Sequence, residues 1–367
     1  MNGTKRIGAW VGAGLLAATC HAGAEDAVTS PEMVVTASRA ETETYKVPAS
    51  VTVITADDLR SQGYMTVVNA LQDAGGIYVR SVSGNPATAE IGMRGFGENA
   101  HGRILVLQDG QKLNRPDMAS VNWLQIPINS VERIEIVHGS ESALYGDHAV
   151  AGVINIITRK GTPEPVTDVS AEAGSFGTTA FRAGTSARRG DVSYAVNAER
   201  LDSDGYRDRT GFLSQGGGVK LGYDPGGALA ASLGLSWQQV DYEIPGWLTQ
   251  EQMARDRKQA GNPADEARNE YLNSDLNLRY NLADKQRAEV MVFFGRKDTS
   301  SDMASWLSFT DATVDTVGAS PRYVSENRLA GHDNTLIAGV DYCIDMLRCD
   351  RYADDARNTQ TVAAAID

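Results

Sequence analysis

The chain has 367 residues, of which 42% are hydrophobic, so it is long enough for about two domains and a sizeable core. This composition excludes a wholly disordered protein. Aspartate and glutamate outnumber lysine and arginine by 47 to 34, which gives a formal net charge of -13. The basic excess that nucleic-acid binding requires is absent, and three cysteines are too few for a disulfide scaffold.

The N-terminus, residues 1–24, has the pattern of a secretory signal peptide. Lys5 and Arg6 precede an apolar stretch from Ile7 to Ala18, and Ala22-Gly23-Ala24 offers small residues for cleavage. The apolar stretch is too short to span a bilayer, which requires about 20 residues. A lipoprotein site at Cys20 is the alternative, but the Ala-Ala-Thr before it matches poorly. We therefore expect an exported protein, either soluble or inserted as a β-barrel.

Residues 25–45 are predicted to form a flexible arm with one short strand segment. The β-branched, apolar run Met33–Ala37 lies between Glu32 and Arg39 in an otherwise polar stretch.

Residues 46–161 are predicted to form a compact α+β domain. Val51–Thr55 alternates as a strand, and Thr55 or the aspartate after it can cap a helix that begins at Ala56. A second helix is expected near Met65–Asp73, which ends at a Gly-Gly pair. Further strands are expected at Ile77–Arg80, Glu90–Arg94, Ile104–Leu107, Val131–Val137 and Gly152–Thr158, with a turn at Asp109-Gly110.

Residues 162–367 change to a two-residue alternation. Leu229, Leu233, Leu235 and Trp237 fall on one face, opposite small and polar residues, and the segments near Leu276 and Leu336 repeat the pattern. Segments of about ten residues with apolar and polar faces are typical of membrane β-strands. We count about nine such strands between Val166 and Leu347.

The predicted connections alternate in length. Ala187–Asp191, Tyr223–Gly227 and Asn281–Lys285 are tight turns, and the stretches 202–210, 243–269 and 300–315 are longer and polar. Short turns on one rim and long loops on the other are typical of outer-membrane barrels. A soluble β-sandwich also alternates and is the alternative.

The two predicted regions differ in size. Nine tilted strands would enclose a diameter of about 18 Å, whereas a globule of about 130 residues measures about 36 Å. About 22 strands, some 44 Å across, are needed to surround it. We therefore expect this sequence to be the N-terminal part of a longer barrel protein.

Several segments, in order, resemble those of the TonB-dependent outer-membrane receptors. Glu32–Arg39 is similar to a TonB box, and the domain that follows is similar to the plug of these receptors over about residues 32–161. The resemblance implies a plug domain inside an antiparallel 22-stranded transmembrane β-barrel, of which only the first part is present. The matching plug segments are Val51–Thr55, Ile91–Gly97, Arg103–Gly110, Val131–Gly139, Ser142–Gly146 and Gly152–Thr158.

The resemblance also implies site residues. An extended apolar box on a free arm can be added as an edge strand by a periplasmic partner; an ordinary edge strand of the plug is the alternative. The predicted TonB-binding residues are Glu32, Met33, Val34, Val35, Thr36 and Ala37.

Ligand contacts are expected on three outward plug loops, Ser81–Thr88, Gly97–Gly102 and Arg115–Gln125. Trp123 is also consistent with packing under the barrel wall. The expected ligand-binding residues are Asn85, Met118, Asn122 and Trp123, and the charged residues expected to hold the plug in a polar lumen are Arg94, Glu132, Arg133 and Glu135.

The motifs of catalysis are missing from the sequence. The histidines lack HExxH or Cys-His spacing, and the glycine-flanked serines near Ser140 do not form a nucleophile elbow. We expect no enzyme activity, no resident metal and no cofactor. A loop disulfide between Cys343 and Cys349 is expected, because an exported protein meets an oxidising environment.

These observations predict an energised importer in the outer membrane of a Gram-negative-type cell. Its expected partners are the TonB–ExbB–ExbD complex, outer-membrane lipid and a small metal chelate. A ferric siderophore is the first ligand class and cobalamin the second, with haem or copper as further alternatives. A passive channel or surface-binding barrel, and a soluble exported binding module, are the rival functions.

Overall fold

The computed structural model describes residues 33–34, 42–43, 49–97, 100–117, 119–329 and 331–366. The predicted signal peptide lies outside the described residues, as do Glu32, Val35, Thr36 and Ala37 of the predicted TonB box. Within that box the backbone of Met33–Val34 (β1) pairs antiparallel with Thr42–Glu43 (β2).

The α+β domain, here called the plug (residues 49–161), is built on a five-stranded sheet. Its order is β3-β8-β9-β6-β7, with β6 and β9 parallel, and β4 pairs with β5 separately. The edge element β7 pairs with β6 across the Asp109-Gly110 turn. The strand bounds are Ser50–Thr55 (β3), Ile77–Ser81 (β4), Ala89–Met93 (β5), Ile104–Gln108 (β6), Gln111–Lys112 (β7), Val131–His138 (β8) and Gly152–Thr158 (β9).

Two capped helices cover this sheet. Helix α1 (Ala56–Ser61) begins with a capping box between Thr55 and Asp58, and α2 (Val67–Asp73) begins with one between Thr66 and Asn69. The buried face of α2 packs into a core with the alternating isoleucines of β8 and β9. Each fully buried aliphatic side chain there contributes about 1.5–3 kcal/mol. A short helix, α3 (Ser142–Tyr145), precedes β9.

Residues 166–366 form an 11-stranded antiparallel sheet, here called the wall. Each strand pairs with its sequence neighbour, except that β18 and β19 both pair with β17, along different halves of it. The bounds are Val166–Ala173 (β10), Thr179–Arg189 (β11), Val192–Ser203 (β12), Phe212–Tyr223 (β13), Leu229–Glu243 (β14), Glu266–Ala283 (β15), Gln286–Met303 (β16), Ser308–Leu329 (β17), His332–Gly339 (β18), Tyr342–Tyr352 (β19) and Gln360–Ile366 (β20).

The predicted alternation is confirmed along the wall. In β14, Leu233, Leu235 and Trp237 are exposed, whereas Gly234 between the leucines and Gln238 after the tryptophan are buried. Strand β15 repeats this with Leu272 exposed and Asn273 buried. The wall therefore has an apolar outer face and a polar inner face that meets the plug.

One sequence expectation about the wall connections was wrong. The stretch 300–315 is not a long loop, because β16 and β17 extend to Met303 and from Ser308; polar residues at successive outward positions of these strands imitate a loop. The expected count of about nine strands between Val166 and Leu347 is confirmed, because β10 to β17 are followed by β18 and β19, which share one edge of β17; β20 lies beyond that range.

The expected disulfide is also wrong. Cys343 and Cys349 are free and lie on the same strand, β19. Six positions along one strand separate α-carbons by about 20 Å, far beyond the span of a disulfide.

The wall has two different rims. The turn rim consists of the connections 190–191, 224–228 and 284–285, and the loop rim of 174–178, 204–211, 244–265, 304–307 and 353–359. Helix α4 (Gln250–Arg255) lies in the longest loop-rim connection. No helix among the described residues has the length and apolar character to cross a membrane.

Candidate functional site at the seam between plug and wall

The plug loop 81–88 reaches the loop rim of the wall. Asn85 is buried, and its Nδ2 donates to the carbonyl oxygen of Glu243, 3.1 Å away, at the loop-rim end of β14. Gly84 has a φ of +88°, and a Cβ built there would lie 3.9 Å from the Cβ of Thr210. The predicted ligand residue Asn85 therefore anchors the plug to the wall, with its Oδ1 buried and unpaired among the described residues.

The plug loop 115–125 meets β15 and β16 through polar contacts. Arg115 donates from Nη2 to Oδ1 of Asn273 at 3.1 Å, and Lys297 Nζ lies 2.6 Å from Asp117 Oδ2. Burial lowers the pKa of Arg115, since its guanidinium is largely removed from water. Loop 115–125 is thus pinned to the wall by a buried charge and an ion pair.

Asn122 and Trp123 lie deeper than a surface site would require. The Asn122 Oδ1 accepts from the backbone N–H of Leu124, which caps a short 3₁₀ helix. Trp123 is 2% exposed, and its indole Nε1 donates to the carbonyl oxygen of Ala89 inside the plug core. Trp123 therefore packs within the plug. Met118 lies outside the described residues.

A compact apolar cluster joins plug and wall near these loops. Leu124 and Ala87 of the plug pack with Ala180, Leu201, Val240 and Tyr271 of the wall. We call this region, with the loops 81–88 and 115–125, the packed seam. Its apolar contacts hold the two regions together where the plug approaches the loop rim.

Hydrogen bonds reinforce the packed seam. Asn129 Nδ2 donates to the carbonyl oxygens of Ala183 and Ala198, at 3.2 and 3.0 Å. Ser214 Oγ donates to the carbonyl oxygen of Leu124 at 3.0 Å. Arg182, held by Glu199 at 2.6 Å, donates to the carbonyl oxygen of Met65. Polar side chains of both plug and wall thus donate to backbone carbonyl groups on the other side of the seam.

The four charged residues predicted to hold the plug separate into two groups. On β8, Arg133 bonds to both Glu132 and Glu135 at 2.8 Å, and the Glu135 side chain is fully buried. Arg94 is exposed with a φ of +52°, and it helps burial lower the pKa of His138. The observed contacts of Arg133 with these glutamates brace the plug strand itself.

The Asp109-Gly110 turn makes the seam's central polar contact, which sequence reasoning did not single out. Lys220 Nζ of β13 lies 2.9 Å from Asp109 Oδ2 and 2.9 Å from Thr158 Oγ1. The Asp109 carboxylate also accepts from the backbone N–H of Thr158 at 3.0 Å. The lysine between outward Val219 and Leu221 was the available signal, since it predicts an inward-facing cation.

On the turn-rim side of this contact, plug and wall separate around a cavity of about 730 Å³. Leu107, Arg133 and Asn155 line it from the plug, and Asp191 and Asp224 line it at the turn rim. We call this region the turn-rim cavity. Its described lining holds seven lysines and arginines and five aspartates and glutamates, so it is a polar space.

A second cavity, of about 360 Å³, lies on the plug surface between two of the predicted ligand loops. His101, Asn114, Arg115 and His148 contribute to it. Burial lowers the pKa of His148, and nearby Lys112 lowers it further. Residues 98–99 of the loop 97–102 lie outside the described chain. Among the described residues, no group of three or more histidine, cysteine, aspartate or glutamate side chains could hold a metal ion.

Comparison with known proteins identifies the plug. Residues 43–153 match the family described as TonB-dependent Receptor Plug Domain. This segment is a TonB-dependent receptor plug domain. The resemblance drawn from the sequence motifs is thereby confirmed.

Two curated relatives match part of this chain. The iron-regulated outer membrane virulence protein of Vibrio cholerae is 40% identical over 146 residues, which cover 37% of this chain and 21% of that protein. The vitamin B12 transporter BtuB of Vibrio vulnificus is 34% identical over 163 residues, or 44% of this chain and 26% of BtuB. The chain thus matches about a fifth to a quarter of the length of these relatives.

Solved structures extend the likeness to the wall. The unliganded ferric citrate transporter FecA gives a TM-score of 0.74 at 16% identity, over 87% of this chain and 51% of FecA. The Pseudomonas aeruginosa receptor FpvA bound to a heterologous pyoverdine gives 0.75 at 16% identity, over 91% of this chain and 50% of FpvA. The predicted fold, a plug followed by antiparallel barrel strands, is confirmed. The predicted outer-membrane location agrees with the names of the relatives.

Proposed function

We propose that this chain belongs to an energised outer-membrane transporter, which binds a scarce ligand outside the cell and releases it into the periplasm. The observation that carries the proposal is a TonB-dependent receptor plug domain seated on the polar inner face of a β-wall. A passive pore has no use for a folded domain held across its lumen by buried contacts. We propose no catalytic role.

Lipid is the proposed environment of the outer wall face. The exposed side chains Leu233, Leu235, Leu272 and Leu276 form an apolar band on adjacent strands β14 and β15. Antiparallel strands that satisfy one another's backbone groups are suited to a bilayer. This placement turns the loop rim to the outside of the cell and the turn rim to the periplasm.

The ligand surface is proposed at the plug loops that approach the loop rim. Asn85 and Asn122 remain our proposed ligand residues, because each has one buried side-chain atom without a hydrogen-bond partner among the described residues. Such an atom gains a partner if the loop shifts toward a polar ligand. Met118 stays a prediction from the sequence, and Trp123 would need the plug core to open.

Ferric siderophores are the proposed ligand class, with cobalamin second. An iron-regulated protein at 40% identity favours the first, and BtuB transporters at 34% favour the second. Haem and copper complexes remain further alternatives. The two favoured classes share a requirement for active import, because both ligands are too large and too rare for diffusion through porins.

The proposed inner-membrane partner is TonB, with ExbB and ExbD, acting on Glu32–Ala37. Strand addition uses backbone N–H groups, and proline lacks one. We expect Val35→Pro to abolish energised uptake and leave ligand binding to whole cells unchanged. Ala27→Pro, in the same arm but outside the box, is the control. Normal uptake by Val35→Pro would contradict a strand-addition site here.

The test of the function is uptake of radiolabelled ferric siderophores and of labelled cobalamin by cells that express the protein, with and without TonB. We expect uptake of one ligand class only when TonB is present. Equal uptake in both strains would favour the passive channel, and recovery of the protein in the soluble fraction would favour the exported binding module.

A further inference from the structure

The turn-rim cavity ends at a defined contact on the side that faces the packed seam. A smaller cavity of about 60 Å³ lies next to it, lined by Gln111, Asn129 and Asn273 among others. Among the described residues, Asp109 and Lys220 are the two that line both cavities. The Asp109–Lys220 contact therefore stands between the packed seam and the space that leads to the turn rim.

This contact is a strong one, but only two side chains form its ion pair. Asp109 and Lys220 have side-chain exposures of 12% and 11%, so their ion pair is largely shielded from solvent. Charge-assisted bonds in such surroundings are stronger than exposed ion pairs. Beside it, a Cβ on Gly110 would lie 3.5 Å from the Met291 sulfur, which places an apolar contact on the same turn.

Lys220 can also move away from Asp109 without breaking hydrogen bonds inside the plug. Asp109 keeps its bonds to the backbone N–H and hydroxyl of Thr158 when Lys220 withdraws, because those bonds lie within the plug. The turn joins β6 to the edge strand β7, which pairs with β6 alone in the described sheet. Opening here breaks no pairing of the central strands.

We propose that the Asp109–Lys220 ion pair is a latch that closes the turn-rim cavity against the outer half of the seam. Ligand leaves through this cavity once the latch has opened. The inference rests on the proposed transport function, and it assigns the exit path to one face of the plug, between β6–β9 and strands β13–β16. Lys220 and Asp109 are positioning residues, since they hold the plug in place.

The test measures leakage through the latch in cells that lack TonB. Lys220→Met keeps most of the aliphatic stem and removes the charge. The probe is a glycopeptide antibiotic, which is excluded by porins. Losing a charge-assisted bond should raise the open population, and with it the rate of probe entry, about tenfold.

The matched control is Arg188→Met. Arg188 lines the same cavity, but it donates to the carbonyl oxygens of Gly190 and Asp224, both within the wall. Its variant should leak like the unmodified protein. Asp109→Asn is the second test variant, since asparagine tolerates the φ of +50° at this position. Assembly of every variant is checked by its heat-dependent mobility on gels.

Leakage in both latch variants, with none in the control, is the expected result. Unmodified permeability in a correctly assembled Asp109→Asn or Lys220→Met protein would overturn the latch. Because the assay excludes TonB, it is separate from the test of energised uptake. A protein that leaks through the opened latch but takes up ligand equally without TonB would refute the transport proposal alone.

Discussion

The two halves of the seam between plug and wall are built differently. Toward the loop rim, Leu124 and Ala87 pack directly against Tyr271 and its neighbours, and buried side chains donate to backbone carbonyl groups across the seam in both directions. Toward the turn rim, the same two regions are separated by a cavity of about 730 Å³ with charged walls. One half thus attaches the plug, and the other leaves an open, charged space between plug and wall.

The difference bears on how a pull from the periplasmic side would act. Apolar packing resists separation because it loses burial over its whole area. A charged cavity offers little resistance, since the plug and wall surfaces are already apart there and no apolar burial is lost when they separate further. Movement is therefore expected to begin on the turn-rim side and to end at the packed seam.

The largest expected effect comes from emptying the packed seam. Tyr271 is 2% exposed and lies at the centre of its apolar cluster, so Tyr271→Ala should destabilise the assembled protein by about 3–5 kcal/mol. Ser232→Ala, which trims a half-buried side chain lining the turn-rim cavity, should change stability by under about 0.5 kcal/mol. Urea-unfolding midpoints measure the stability of both variants. Equal losses of stability would show that the packed seam and the turn-rim cavity do not differ in how they hold the plug.

The plug core can be perturbed without touching the seam. A Cβ on Gly152 would lie 2.5 Å from both the Met93 sulfur and the Val137 carbonyl oxygen. Gly152→Ala should therefore destabilise the plug by about 1–3 kcal/mol. At Gly75 a Cβ meets nothing within 4 Å, so Gly75→Ala is the neutral control. Faster protease cleavage of the plug in Gly152→Ala alone is the expected readout.

A smaller effect is expected from one hydrogen-bonding side chain of the packed seam. Asn129→Ala removes both bonds to wall carbonyl groups and should cost about 1–2 kcal/mol. Deuterium exchange of the plug amides near Asn129 should rise, whereas exchange along β3 should not. An equal rise in exchange across the whole plug would mean that the two Asn129 hydrogen bonds do not hold this part of the plug to the wall.

The smallest expected effect is a pH dependence of plug stability. Burial lowers the pKa of both His138 and His148 below the unfolded value of about 6.5. The unfolded chain therefore binds more protons, so stability is full above that value and falls with pH through the lowered folded pKa values. Replacing both by glutamine should flatten the stability profile between pH 7 and 5; an unchanged slope would assign it to other groups.

The sequence anticipated elements whose signals are local. Capping residues such as Thr55 and the isoleucine alternation of β8 and β9 located the plug elements. In the wall, the outward leucines of β14 identified its lipid-compatible face. These features depend on residues within one element, so a single sequence contains them.

The contacts across the seam were not predictable in the same way. Which wall residue faces Asp109 depends on the register of β13 and on how the plug is seated. Trp123 illustrates the limit, since its place on an outward loop did not show that its indole turns into the core. Likewise, the spacing of Cys343 and Cys349 did not reveal that both share one strand.

The central claim is that the plug moves against the wall during uptake. It is tested most directly by a tether across the packed seam, Gly84→Cys with Thr210→Cys, because the Cβ positions lie 3.9 Å apart, within disulfide range. Both native cysteines of the wall are replaced by serine. With the disulfide formed, the account predicts no uptake, and a reductant restores it. Uptake at the untethered rate with the disulfide intact would contradict it.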